Sequence, residues 1–320
     1  MPAFTATAPG KIILFGEHAV VYGRPAIAAP VSQVQARAVV SAAPRRPSGE
    51  VLIQAPDIGL ESRLVDLPGE HPLVCVVHGV FAALGLTRPL ACTIRITSTI
   101  PVAAGMGSGA AVSVAIIRAL SAFLGQPLPD ERVSALAYEA EKIHHGTPSG
   151  IDNTVITYAL PVYFVRGGSI QTLQLAQSFT LVIGDSGVPS PTAIAVGDVR
   201  RLWQANPAQY EAIFDEIGRT VEAARSAIEA GRLVELGGLM DENQDLLSRI
   251  GVSSPELERL VQAAREAGSL GAKLSGGGRG GNMIALATEA SALAIARRLL
   301  SNGAVRTITT TISPPSQSHG

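Results

Sequence analysis

Polar and apolar residues alternate along ACTIRITSTIP (91–101), the pattern of a half-buried strand, whereas HPLVCVVHGVFAALG (71–85) repeats its apolar positions every three or four residues, as a helix does. The first forty residues carry short β-branched runs, KIILFG, HAVVYG and QVQARAVVSA, set between glycines and prolines, and read as strands joined by turns. PRRPSG (44–49) reads as a turn and VLIQA as the next strand. Helices are predicted over 111–125 and over 130–144, where Asp130 supplies a cap. After them HGTPSGIDN reads as an irregular loop, and TVITYAL, VYFVRGG and SIQTLQL as strands. SFTLVIGDSG (178–187) opens a mostly helical second half, in which TAIAVGDVRRLWQ, YEAIFDEIGRTVEAARSAIEAG, LVELGGLMDENQDLLSRIG and SPELERLVQAAREAG keep helical spacing. Strands near 283–287 and 305–312 flank the helix EASALAIARRLLSNG. The expected division is a domain over 1–177, a second over 178–314, and a frayed tail at 315–320.

Composition narrows the possible partners. Lys and Arg number 25 against 26 Asp and Glu, a net charge of -1 with no basic stripe, so nucleic acid is not an expected partner. The two cysteines, Cys75 and Cys92, are too few for a disulfide framework and lack a CxxC spacing. The apolar run at 110–124 is broken by Ser113, Arg118 and Ser121, and no leader pattern opens the chain, so a soluble cytoplasmic protein is expected, with no membrane partner.

Three segments carry candidate chemistry. GMGSGAA (105–111) is a glycine loop running into a helix, where free amides and the positive end of the helix dipole favour a phosphate; a tight turn with close packing is the alternative. It matches neither a P-loop, since no Lys-Ser/Thr pair ends it, nor the dinucleotide fingerprint. In EAEKIHHGTPSGIDN, Glu141 and Asp152 bracket a loop holding Ser149 and Gly150, so one carboxylate could hold magnesium while the other faces a hydroxyl. His144 and His145 are adjacent, do not share a helix face, and are not read as a zinc site. PGKIILFGEHAVVYG (9–23) sets Lys11, Glu17 and His18 among glycines; a hairpin with solvated ends would look the same.

Taken with GAKLSGGGRGGNMIAL (271–286), the segments PGKIILFGEHAVVYG and PVAAGMGSGAAVSVA resemble the three signature motifs of the GHMP kinases, in that order. The resemblance implies an α+β fold of two domains, a mixed β/α nucleotide-binding domain followed by a ferredoxin-like α/β domain. It implies transfer of the γ-phosphoryl group of ATP to a small alcohol, and GEHAVVYG, HGTPSGIDN, 184–200 and 240–257 point to mevalonate as that alcohol. The backbone of Gly105, Met106, Gly107, Ser108, Gly109, Ala110 and Ala111 would hold the triphosphate, with Ser98, Asp57, Gly277 and Gly278 near the nucleotide. Glu141 and Ser108 would hold Mg²⁺, Asp152 would take the hydroxyl proton, and Lys11 would stabilise the transferring group. Glu17, His18, Ser149 and Thr192 would line the alcohol pocket, and Gly276 to Gly281 would close on the ligands. A homodimer follows only by analogy with the family.

Two departures stand out. Where the family carries two successive serines, this chain has Ser108 and Gly109, and Arg279 interrupts a run that is otherwise glycine. Arg279 could meet a phosphate or a carboxylate, or face solvent. The rival readings are a GHMP kinase acting on phosphomevalonate, homoserine or a sugar, and a catalytically silent ligand sensor on the same fold.

Overall fold

In the computed structural model, which describes residues 3–87, 90–101, 105–145, 148–168, 171–190 and 192–314, the alternation at 91–101 becomes a strand with Cys92, Ile94 and Ile96 buried and Arg95 exposed. The side chains of His144 and His145 and the tail at 315–320 lie outside the described residues. The chain divides into two compact units, one of residues 1–10, 34–101 and 107–159, the other of residues 11–33, 102–106 and 160–320.

Five strands open the chain: β1 (Ala3–Phe15), β2 (Ala26–Ala42), β3 (Val51–Ala55), β4 (Leu60–Arg63) and β5 (Cys92–Ser98). Within the first unit β3 lies between β4, antiparallel, and β5, parallel, and β5 pairs antiparallel with β2 from Ala36↔Ser98 to Ala42↔Cys92. Four helices complete that unit: α1 (Pro72–Ala83), α2 (Ser108–Phe123), α3 (Asp130–His145) and α4 (Ile151–Tyr158). They pack on one another, and α2 also covers β5. Pro72 at the first helical position and the His71 ring, which accepts from the Leu73 amide at 3.2 Å, start α1. Arg118 of α2 donates to Asp130 at 2.7 Å and to the Thr157 carbonyl at 2.6 Å, which ties α2 to the start of α3 and the end of α4.

In the second unit, short strands β6 (Val162–Phe164) and β7 (Gln171–Thr172) pair with each other, and β6 pairs with Ala26–Ala28 of β2. The remaining elements are β8 (Phe179–Asp185), α5 (Thr192–Ala205), α6 (Pro207–Glu229), α7 (Leu233–Arg249), α8 (Pro255–Glu266), β9 (Gly271–Ser275), β10 (Asn282–Ala287), α9 (Ala292–Ser301) and β11 (Arg306–Ile312). Their sheet is antiparallel throughout, in the order β11-β8-β10-β9, with α8 on β9 and β10 and α9 on β8 and β11. On the outer edge of β9 the helix α7 takes the place of a strand. Asp241 accepts from the Ala272 amide at 2.9 Å and Gln244 accepts from the Leu274 amide at 2.8 Å, so side chains three apart on the helix meet amides two apart on the strand.

Three local expectations are corrected. HAVVYG is not a strand: Ala19–Tyr22 forms a single 3₁₀ turn between Gly16 and Gly23, both at positive φ. TVITYAL is not a strand either, and Asp152 does not lie in a loop, because α4 begins at Ile151 with Gly150 as its cap. Its β-branched residues favour a strand, but Ile151, Val155 and Ile156 fall on one helical stripe and are fully buried against α2 and α3, so packing overrides propensity. Residues 271–275, to which the sequence pattern assigned no element, form the buried strand β9.

The approach of α7 to β9 is set by two glycines, since a Cβ on Gly271 would stand 1.9 Å from the Gly237 carbonyl oxygen and one on Gly237 would stand 2.2 Å from that of Leu270. Gly271→Ala is therefore expected to destabilise the protein by about 3 kcal/mol or more, with urea denaturation as the measurement.

Candidate functional site

Each unit presents its own set of candidate residues. In the first, α2 begins directly after Gly107, which caps it in the left-handed conformation at φ 70, and the Ala111 amide closes the first turn on the Gly107 carbonyl at 2.9 Å. Ala110 and Ala111 are fully buried while Ser108 is half-buried and Gly109 exposed, so the opening turn has a packed side and an open side. An α-helix leaves its first amides without intrahelical acceptors, and no acidic residue occupies this first turn. The result is a start suited to an anion. Ser113 donates back to the Gly109 carbonyl at 3.0 Å, which stiffens the same turn.

Glu141 is buried near the end of α3, and Asp152 stands in the first turn of α4, the helix that packs on α3. Ser149 accepts from the Ile151 amide at 3.3 Å, and Thr154 donates to the Gly150 carbonyl at 2.7 Å, so the turn carrying Asp152 is held from both sides. Asn153 anchors it to α3 by donating to the Ser134 hydroxyl at 2.9 Å. Ser98 and Asp57 meet each other: the Ser98 amide donates to the Asp57 carboxylate at 2.7 Å, and the Ser98 hydroxyl accepts from Ile100 at 3.1 Å. Both polar groups thus order the exit of β5.

In the second unit, Lys11 is buried on β1, and its amide donates to the Met106 carbonyl at 3.0 Å, fixing the residue at which the glycine loop starts toward α2. Six residues on, Glu17 and Lys273 form an ion pair whose side chains are both 0% exposed. The Lys273 ammonium also donates to the Leu274 carbonyl at 2.7 Å and lies 6.0 Å from the Phe15 ring centroid. Burial pushes the Glu17 carboxyl up and the Lys273 ammonium down, each opposed by the charge of the other. Sequence reasoning missed Lys273. The signal was a lone lysine inside an apolar run, which needs a counter-charge, and Glu17 was already a candidate.

His18 adopts a positive φ of 61, and its Nε2 lies 3.0 Å from the Gly277 carbonyl. A carbonyl only accepts, so Nε2 carries the proton and Nδ1 presents a lone pair. That Nδ1 and Glu17 Oε2 are buried acceptors without a hydrogen-bond partner among the described residues. Two such atoms on consecutive residues suit a ligand that donates, such as a hydroxyl. Burial, aided by the charge of Arg279, lowers the His18 pKa to about 4, so the ring is neutral at pH 7.

The loop from Gly276 to Gly281 joins β9 to β10 and is bolted at several points. The Ser190 hydroxyl donates to the Gly278 carbonyl at 2.8 Å, the Gly281 amide to Val188 at 2.8 Å, and the Arg279 amide to Val252 at 2.7 Å. Thr192, the first residue of α5, leaves no room for a side chain at Gly277, where a Cβ would meet its Oγ1 at 2.9 Å. Arg279 does not simply face solvent: its guanidinium pairs with Asp198 on α5 and reaches the Gly251 carbonyl at 3.3 Å.

Two family models, and relatives along most of the chain, match this protein. The family described as GHMP kinases N terminal domain matches residues 72–159, and that described as GHMP kinases C terminal matches residues 204–305. The chain is 39% identical over 302 residues to a mevalonate kinase of Thermococcus sibiricus, covering 89% of each, and 38% identical over 300 residues to that of Pyrococcus horikoshii, covering 88% of each. Among solved structures it resembles that of L. major mevalonate kinase in complex with R-mevalonate, at a TM-score of 0.84 and 33% identity over 97% of this chain and 96% of that one.

The pair and the ring give two expectations. Lys273→Met strands a buried carboxylate and is expected to cost about 3–5 kcal/mol in urea denaturation, much of which the added Glu17→Gln change restores. Because the folded pKa of His18 lies below its ordinary 6.5, the stability this ring contributes is present above pH 6.5 and is lost as pH falls toward about 4. Across that window wild type is expected to lose up to about 3 kcal/mol more than His18→Asn, measured by denaturation at pH 7 and pH 4.5.

Proposed function

The chain belongs to the GHMP kinase family, and we propose that it transfers the γ-phosphoryl group of ATP to the C5 hydroxyl of mevalonate, giving 5-phosphomevalonate and ADP. The observation that carries this reading is the near full-length likeness to relatives named as mevalonate kinases, one of them holding R-mevalonate. The buried acceptors of Glu17 and His18 support an alcohol as the group received, since both await a donor.

In this reading the amides that open α2 hold the triphosphate, and a phosphoryl transfer of this kind depends on positioning and charge more than on covalent chemistry. Asp152 accepts the proton of the attacking hydroxyl, and Lys11 stabilises charge on the oxygens of the transferring group. Glu17, His18, Ser149 and Thr192 orient the alcohol, while Gly277 and Gly278 admit a ligand close to the backbone. Glu141 and Ser108 offer a carboxylate and a hydroxyl, hard oxygen donors that fit Mg²⁺. Among the described residues no group of three His, Cys, Asp or Glu side chains could hold a metal, so phosphate and water would supply the rest of its shell. The metal, when bound, neutralises charge on the phosphates. With Gly109 in place of a second serine, Ser108 is the hydroxyl left for that task.

The experiment is ADP release by the purified protein with Mg-ATP and, separately, mevalonate, 5-phosphomevalonate, homoserine and galactose. Turnover confined to mevalonate is expected; turnover confined to another acceptor would overturn the substrate, and binding without turnover would favour the silent sensor. Asp152→Asn is expected to keep ATP binding and to lower kcat by about 10²–10⁴. Glu141→Gln is expected to raise the magnesium concentration for half-maximal rate, and an unchanged requirement would place the metal elsewhere.

A further inference from the structure

Five of the six residues from 276 to 281 are glycine, and the sixth, Arg279, holds a φ of 59, a conformation unfavourable to a residue with a Cβ. Its neighbours leave no alternative for a side chain: a Cβ on Gly278 would stand 2.1 Å from the Val252 carbonyl oxygen and one on Gly280 would stand 2.6 Å from that of Val188. Between Gly277 and Gly280, position 279 is where a side chain can leave the loop, and the guanidinium that leaves it is already committed. Nε donates to the Gly251 carbonyl at 3.3 Å and Nη1 pairs with Asp198 Oδ2, while Asp198 Oδ1 receives Arg201. The Arg279 hydrogen bond is the main reason the Asp198 carboxyl is held below its ordinary range.

Asp198 lies on α5 about 9 Å along the axis from Thr192, the residue that abuts Gly277. Ser190, just before the helix, is bonded to the Gly278 carbonyl. A single side chain therefore links the loop to α5 and to the turn that follows α7. We propose that Arg279 is a positioning residue: gripping Asp198, it fixes α5 against the glycine loop and so sets where Ser190 and Thr192 stand beside Gly277 and Gly278. The claim about turnover rests on the kinase reading above; the claim about α5 does not.

Arg279→Gly isolates the side chain, since glycine suits the observed φ and leaves the loop unstrained. Amide exchange of the segment 186–200 in the unliganded protein is expected to quicken about tenfold in Arg279→Gly and in Asp198→Asn, with the double variant no faster than either. With Mg-ATP, KM for mevalonate is expected to rise about tenfold in both variants while kcat falls by less, and Arg279→Lys is expected to recover part of the loss by keeping the charge toward Asp198. Unchanged exchange in Arg279→Gly would overturn the proposal, as would additive effects in the double variant. A raised KM in Arg279→Gly but not in Asp198→Asn would also overturn it, by making the guanidinium a direct ligand. Were mevalonate not turned over even by wild type, the exchange result alone would decide.

Discussion

The ion pair between Glu17 and Lys273 joins two stretches of chain 256 residues apart with no exposure of either side chain. A charge placed there alone would be very costly, so each residue makes the other tolerable. Its neighbours repeat the same closure with neutral groups: the Ser275 hydroxyl accepts from the Ile13 amide at 3.0 Å and donates to the Ile13 carbonyl at 2.9 Å. His18 then reaches Gly277. Glu17 and His18 owe their depth and their unfilled acceptors to this seam, and the loop at 276–281 starts from it.

The chemistry proposed for the chain needs little more than placed amides, two carboxylates, a lysine and a bound cation, and the candidate residues for it lie on β1, α2, α3 and α4. α2 presents its open turn because its alanines are sunk into the helical layer. Asp152 is steady because its turn is tied through Ser149, Asn153 and Thr154. Such placement matters more than any single contact, since a phosphoryl group in flight is stabilised by charges that need not move.

Much of this was readable from the residues. The period-two and period-three-to-four runs located most strands and helices, and the glycine loops with Lys11, Glu17, Glu141 and Asp152 were the candidates the residues offered for chemistry. What was not readable depended on partners distant in sequence. Thr154 to Tyr158 has the composition of a strand and becomes a helix only because α2 and α3 offer a surface for Ile151, Val155 and Ile156. The strand at 271–275 hides behind its two small residues, whose reason lies in Gly237 of α7. Lys273 calls for a counter-charge that its own stretch of sequence does not show until Glu17 is set beside it, and Arg279 looks like a free cation until Asp198 is.

The discontinuity of the second unit has a consequence for how the chain is made. Residues 11–33 leave the ribosome some 250 residues ahead of their partners at 273–277. At common translation speeds that is a delay of roughly 10 to 50 seconds. During it the apolar run of Ile12, Ile13, Leu14 and Phe15 has no Ser275 or Lys273 to meet. The nascent protein must therefore carry the motif around Glu17 unfinished until β9 has been made, and the step that buries Glu17 waits for the sheet that contains β9 to form.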